Sequence, residues 1–290
     1  MTKSPFSSED LVINPYVEEY FVKRIVPLLP KMIGYQFAGS GPISAGKSTM
    51  LKILYTLFIK HGFKVGILQE YIDADPKIGN ELLGRFINGA ISNATFQNYI
   101  LDTYKQSCLK IDKTSNIIMM ERVPDDSILI FANITNRNKP EDMREQTLYS
   151  LYNKMIEFNE TYNFPSYMDK NTEIESFIGN IDDTILSIID SIASDIENGV
   201  SKRIIGLKVD LNTCISRIKR RGRKEELDYD PNYLSQIIHA YDEIFRIKQL
   251  NNLMKRQLDL NDPDYKKKIE DIDKKYNIRF TNMGRLIDTF

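Results

Sequence analysis

The sequence predicts an α/β protein, a parallel sheet with helices on both faces, and three observations point there. Gly41, Gly46, Lys47 and Ser48 satisfy G-x-x-x-x-G-K-[ST], a loop whose backbone N–H groups cradle phosphates while the lysine and hydroxyl manage charge and Mg²⁺. An apolar run from Ile33 to Ala38 enters that loop and a helical stretch from Thr49 to Phe58 leaves it, so strand, glycine loop and helix N-terminus form one anion site. The other strand candidates alternate with helical stretches and are apolar throughout, the pattern of strands buried on both faces of a sheet.

The chain of 290 residues is 42% hydrophobic and 27% charged, enough to bury a sizeable core. A single domain over 1–290 is expected, with a long helical insertion around 133–199 and a charged helical tail around 248–275. Lys and Arg number 39 against 40 Asp and Glu, a net charge of −1, which gives no whole-molecule field to attract nucleic acid or an anionic membrane. The two cysteines, Cys108 and Cys214, lack metal-ligand spacing and only two histidines accompany them, so a reducing cytoplasmic compartment without structural zinc is expected. The first thirty residues carry Glu9, Asp10, Glu18 and Glu19 and no continuous apolar run, unlike a signal or transit peptide. No apolar stretch is long enough to span a bilayer.

Taken in order, a polar lead precedes a helix from Val17 to Leu29 stopped by Pro30. The phosphate loop's strand and helix follow, and His61-Gly62 ends that helix. Val65 to Gln69 reads as the second strand, closed by Glu70. Residues 76–93 are helical with breaks. Ala94 to Ile111 is a strong helix with Phe96, Ile100, Tyr104 and Leu109 near one face. Asn116 to Met120 is the third strand and runs into Glu121-Arg122. In open parallel sheets the ligand crevice lies beyond the carboxyl ends of the strands, which would gather the phosphate loop, Glu70 and Glu121-Arg122. Asn133 to Arg144 reads as loop, Leu148 to Met155 as helix, and 160–175 as loop again. Phe177, Ile178, Ile181, Ile185, Ile188, Ile189, Ile192 and Ile196 follow helical spacing, and burial is the role expected of that helix. Arg203 to Val209 is a fourth strand and Ile278 to Phe280 a candidate fifth.

Six cations lie in the eight residues from Arg217 to Lys224, followed at once by Glu225 and Glu226. Such a run alone suits a solvated helix face or a nucleic-acid patch. Beside a phosphate loop it reads as a lid, because arginines on a closing segment can stabilise the oxygens of a transferring phosphoryl group and exclude water.

These segments together resemble the deoxynucleoside kinase family. The match comprises Gly41 to Thr49, Gln69-Glu70, Phe96-Gln97-Asn98-Tyr99, Glu121-Arg122 with Ile130-Phe131-Ala132, and Arg217 to Glu226 leading into Tyr233-Leu234, in family order across most of residues 33–245. The resemblance implies a P-loop NTPase fold with five parallel strands and an Arg-rich lid, ATP or another NTP as donor, Mg²⁺, a homodimer, and phosphorylation of a deoxynucleoside 5′-hydroxyl in nucleotide salvage. It places the donor phosphates on Gly41, Pro42, Ile43, Ser44, Ala45, Gly46, Lys47, Ser48 and Thr49, and Mg²⁺ on Ser48 and Glu121. It makes Glu70 the base for the 5′-hydroxyl with Arg122 its partner, and sets Arg217, Arg221 and Arg223 on the phosphates. Gln97 would bind the nucleobase, Phe131 would stack on it, and Glu226 would take the sugar 3′-hydroxyl.

The chain departs from the family in places. Phe86 stands where a tyrosine usually assists at the 3′-hydroxyl, Val123-Pro124 follow Arg122 in place of a serine, and Tyr104 and Ser127 occupy the positions that tune base choice. These departures bear on substrate identity rather than reaction class. Two rival functions share parts of the pattern. A nucleoside monophosphate kinase would need a basic grip on the acceptor phosphate where Gln69-Glu70 presents an acid. A silent kinase-like scaffold would have no need of Lys47, Glu70 and Arg122 together.

Overall fold

The structure, a computed structural model, describes residues 11–136 and 141–257. Its centre is a five-stranded sheet in the order β2-β3-β1-β5-β4, with every pairing parallel. The strands are β1 (Tyr35–Ser40), β2 (Val65–Leu68), β3 (Ile117–Glu121), β4 (Glu173–Phe177) and β5 (Lys202–Leu207). Helix α1 (Pro15–Arg24) precedes them. Between them run α2 (Lys47–Lys60), α3 (Tyr71–Ala74), α4 (Pro76–Ile87) and α5 (Asn93–Cys108). After β3, α6 (Pro124–Asp126) passes through a π-helical turn, Ser127–Ala132, into α7 (Asn133–Asn136), followed by α8 (Glu141–Tyr162) and α9 (Ile181–Glu197). Helix α10 (Leu211–Arg221), a 3₁₀ turn (Lys224–Glu226) and α11 (Pro231–Gln257) complete the described chain. Residues up to Arg246 form one compact unit; those from Ile247 belong to a second, of which the described part is the last stretch of α11.

Register gathers the functional strand ends. Gly39 of β1 pairs with Glu121 of β3, Ser40 pairs with Gly206 of β5, and Leu68 of β2 pairs with Met120. The phosphate loop, Glu121 and Glu70 therefore leave the sheet along one edge, on the side where parallel sheets bind ligands. The core supports this edge from both faces. Leu54 and Phe58 of α2 are buried together with Phe37 and Phe63, and Phe21 of α1 meets Phe58 edge-on at 5.1 Å. On α9, Ile185, Ile188, Ile189 and Ile192 are buried, each worth roughly 1.5–3 kcal/mol by transfer from water.

Several expected elements are revised. The helix expected over Val17 to Leu29 ends at Arg24 and tightens into a 3₁₀ turn over Val26–Lys31, because Pro27 and Pro30 lack the N–H that an α-helix needs. β1 begins two residues later than expected and runs on to Ser40. Leu109 is 69% exposed, beyond the end of α5 at Cys108, whereas Phe96, Ile100 and Tyr104 are buried. The stretch read as loop from Asn133 contains α7 and the start of α8. A strand was missed: β4 lies where loop was expected, and Phe177 and Ile178 belong to it and to the turn after it, not to α9. It went unseen because it is an edge strand with a single apolar residue fully buried, Ile174, while Glu175 faces Arg203 of β5 at 3.3 Å. So part of the 133–199 stretch belongs to the sheet itself. The candidate strand at Ile278 to Phe280 and most of the charged tail lie outside the described residues.

Candidate active site

Beyond Ser40 the chain turns through Gly41 at φ +142°, where a Cβ would lie 2.3 Å from the Leu207 carbonyl oxygen, so only glycine lets the loop pass this close over β5. Gly46, at φ +104°, opens α2 without any side-chain cap, which leaves the first N–H groups of the helix directed at the loop's concavity. Lys47 is 4% exposed; its ammonium donates to the Pro42 carbonyl at 2.8 Å and stands 3.8 Å from Glu121 Oε1. Burial, then Arg122, lowers the lysine pKa, and Glu121 opposes the shift. Burial raises that of Glu121, aided by Glu70, and Lys47 draws it back. A bound phosphate would add anionic charge beside this buried ammonium.

Ser48 Oγ donates to Glu121 Oε2 at 2.9 Å. This pair of hard oxygen ligands suits Mg²⁺, which is commonly held by one or two carboxylates together with substrate phosphates and water. Among the described residues no group of three His, Cys, Asp or Glu side chains is placed to hold a metal, so a cation here would draw most of its ligands from nucleotide and solvent. The residues fit the group on those terms.

The acceptor side starts at the end of β2. Glu70 accepts from Arg122 Nε at 3.2 Å, and Arg122 Nη1 donates to the Gly41 carbonyl at 2.9 Å and to the Tyr241 hydroxyl at 2.6 Å. The same guanidinium lies 4.9 Å from the centre of the Phe131 ring. Arg122 holds all this with a left-handed backbone, φ +65°. Deeper in, Gln97 of α5 is 1% exposed and its Oε1 has no hydrogen-bond partner among the described residues. Phe86 stacks on Phe96 at 5.0 Å and 11°, forming an aromatic wall. Tyr104 is committed to the floor, its hydroxyl donating to the Glu121 carbonyl at 2.8 Å. Ser127 and Phe131 come from the π-helical turn, which takes the chain across the cavity.

Helix α10 begins on an Asp210 cap and ends at Gly222. It is tied to the phosphate loop by Arg217 Nη1 donating to the Ser44 carbonyl at 3.1 Å and by Cys214 Sγ donating to the Ile43 carbonyl at 3.1 Å. Arg221 and Arg223 both pair with Glu226, Arg223 at 3.0 Å, and Glu226 is 4% exposed.

These parts enclose a single cavity of about 560 Å³. It is lined by Ile43 to Thr49, Glu70, Phe86, Gln97, Tyr104, Glu121, Arg122, Ser127, Phe131, Arg217, Arg221, Arg223 and Glu226; of the candidate site residues only Gly41 and Pro42 lie behind its wall. Sequence reasoning passed over other lining residues, among them Lys52, Tyr71, Asp73, Asp126 and Tyr229. Asp126 is buried and accepts from Ser40 Oγ at 2.7 Å, and burial raises its pKa. Asp73 has its pKa pushed up to about 6, by burial first and then by Glu70. Tyr71 and Asp126 adjoin residues already singled out, Glu70 and Ser127, and that adjacency was the available signal.

The sequence model of one family, described as "Deoxynucleoside kinase", matches residues 38–182 and 174–279. No curated protein gives a significant match. Among solved structures, the chain is similar to deoxyadenosine kinase from M. mycoides with bound dATP, with 21% identity, TM-score 0.44, and coverage of 84% of this chain and 100% of that one. A second structure of that enzyme, with products dCMP and a flexible dCDP, shares 22% identity at TM-score 0.44, covering 83% of this chain and 98% of that one.

Proposed function

This chain belongs to the deoxynucleoside kinase family, and from that premise we propose how its cavity divides the work of moving a γ-phosphoryl group from ATP or another NTP to the 5′-hydroxyl of a deoxynucleoside. The observation that carries the division is one cavity walled by the phosphate loop at one end and by the Glu70–Arg122 pair and the buried Gln97, whose Oε1 has no partner among the described residues, at the other.

The donor's phosphates lie on the N–H groups of the loop and of α2, with Lys47 on the transferring group. Bound Mg²⁺, held by Ser48 and Glu121, would neutralise charge on the phosphate oxygens. Gln97 hydrogen-bonds the nucleobase edge and Phe131 stacks on the ring, a platform worth roughly 1–3 kcal/mol in comparable base-stacking sites. Glu226 receives the sugar 3′-hydroxyl. The acceptor's 5′-oxygen attacks the γ-phosphorus and its proton passes to Glu70, while the bond to the departing diphosphate breaks. Arg122 orients Glu70. Arg217, Arg221 and Arg223 turn toward the oxygens that gain charge, so most of the catalysis is positioning and electrostatics. The reading includes a homodimer, a cytoplasmic location and a role in nucleotide salvage.

Purified protein with Mg-ATP and a panel of nucleosides and nucleoside monophosphates tests it. Monophosphate should form from at least one deoxynucleoside with little diphosphate. Turnover confined to monophosphate acceptors would move the assignment to a nucleoside monophosphate kinase, and no turnover at all to a scaffold.

A further inference from the structure

Glu226 cannot by itself satisfy a sugar hydroxyl. A hydroxyl donates one hydrogen bond and accepts up to two. The carboxylate can take the donated one, yet it cannot supply any, and its own neighbouring donors, Arg221 and Arg223, hold it with one N–H each and are assigned to the phosphates. Arg122 is likewise committed to Glu70, Gly41 and Tyr241. Across the cavity, α4 packs against the turn that carries Glu226, with a Cβ on Gly84 lying 3.5 Å from Glu225 Cγ, but its contribution to the lining is Phe86, a ring without a polar atom.

Besides Tyr71, which also lines the cavity, a donor that remains is Tyr229. Its backbone N–H donates to the Glu226 carbonyl at 3.3 Å, placing it one turn beyond that residue, and its ring stacks on Tyr233 at 6.0 Å and 25°. The ring lines the cavity, and no hydrogen bond from another described residue occupies its hydroxyl. Burial raises its pKa, with Tyr233 and Glu226 adding to the shift, so the phenol keeps its proton and stays a donor. Two rigid stacked rings hold that hydroxyl in place with little further loss of freedom on binding.

We propose that Tyr229 is a specificity-determining residue for the acceptor: its hydroxyl donates to the same sugar 3′-hydroxyl that Glu226 receives, so the site selects nucleosides that carry it. The proposal rests on the reading of Glu226 as the sugar-binding carboxylate.

Steady-state kinetics of wild type and Tyr229→Phe with a 2′-deoxynucleoside and its 2′,3′-dideoxy counterpart test it, with melting temperatures recorded alongside. Loss of one hydrogen bond should raise KM for the deoxynucleoside about tenfold and leave that of the dideoxynucleoside unchanged, narrowing the discrimination between them. An equal change for both acceptors, or none for either, would overturn the proposal and leave Tyr229 as packing. So would a selective loss in Tyr71→Phe with none in Tyr229→Phe. If the wild type phosphorylates the deoxynucleoside but Glu226→Gln leaves its discrimination intact, the sugar-site reading itself fails, and that result is distinct from any behaviour of Tyr229.

Discussion

Arg122 is held at φ +65°, a backbone conformation unfavourable by about 1–3 kcal/mol for a side chain of this size, and three hydrogen bonds and an aromatic face keep it there. Strain so placed fixes the guanidinium against Glu70, which accepts from it at 3.2 Å. Glu70→Gln preserves shape and removes basicity; kcat should fall roughly 10²–10⁴-fold with acceptor affinity changed far less, read by single-turnover rates beside equilibrium titration. Near-normal chemistry would leave Glu70 as a strand-end support. Three residues on, Asp73 carries a carboxyl whose pKa is pushed up to about 6. Because the folded state then binds this proton more readily than the unfolded chain does, the group favours folding at acid pH and that contribution is lost as pH rises from its ordinary carboxylate value through about 6. Asp73→Asn should therefore raise the melting temperature at pH 7.5 and not at pH 4, and an unchanged melting curve at both would refute the assigned burial.

At the scale of elements, α10 sits against the phosphate loop, the place the lid reading expects for the cation run. A solvated face or nucleic-acid patch would leave its arginines pointing outward, whereas Arg217 reaches a carbonyl of the phosphate loop and Arg221 and Arg223 meet a buried carboxylate in the same cavity. Replacing Arg221 and Arg223 singly by alanine should depress kcat more than it weakens deoxynucleoside binding. Intact turnover together with loss of salt-sensitive DNA or RNA binding would restore the patch reading. Helix α10 is capped at both ends, Asp210 starting it and Gly222 ending it, and the chain then turns so that Arg223 and Glu226 line the same cavity.

For the whole molecule, donor binding should act as a folding ligand, since the loop, Glu121 and α10 belong to separate chain segments joined only in the native state. Mg-ATP at a hundredfold excess over its Kd should stabilise the protein by about 2.7 kcal/mol, a rise visible in thermal unfolding. Lys47→Ala should abolish most of that rise and lower kcat at least about 10²-fold while the ligand-free melting temperature holds. Chelating Mg²⁺ with EDTA should also diminish the rise. A Lys47→Ala protein with full nucleotide stabilisation would remove the loop from the mechanism.

What the sequence by itself determined is the part encoded over short spans. A phosphate loop needs glycines where φ is positive and a lysine at the helix start, and those requirements appear as a contiguous motif from Gly41 to Ser48. Four strands and the long apolar helix face of α9 were likewise legible, since fully buried strands and amphipathic helices have local periods. Only the tertiary structure decided the rest. β4 has one buried apolar residue and is a strand because β5 offers it an edge, a pairing that no local pattern announces. The Arg122–Tyr241 hydrogen bond, the Asp126–Ser40 contact and the placing of Tyr229 beside Glu226 join residues whose types are ordinary; Tyr241 lies 119 positions from Arg122. Such contacts arise when the sheet register and the return of α11 over β5 bring the segments together, and they depend on packing in three dimensions rather than on any neighbour in the chain.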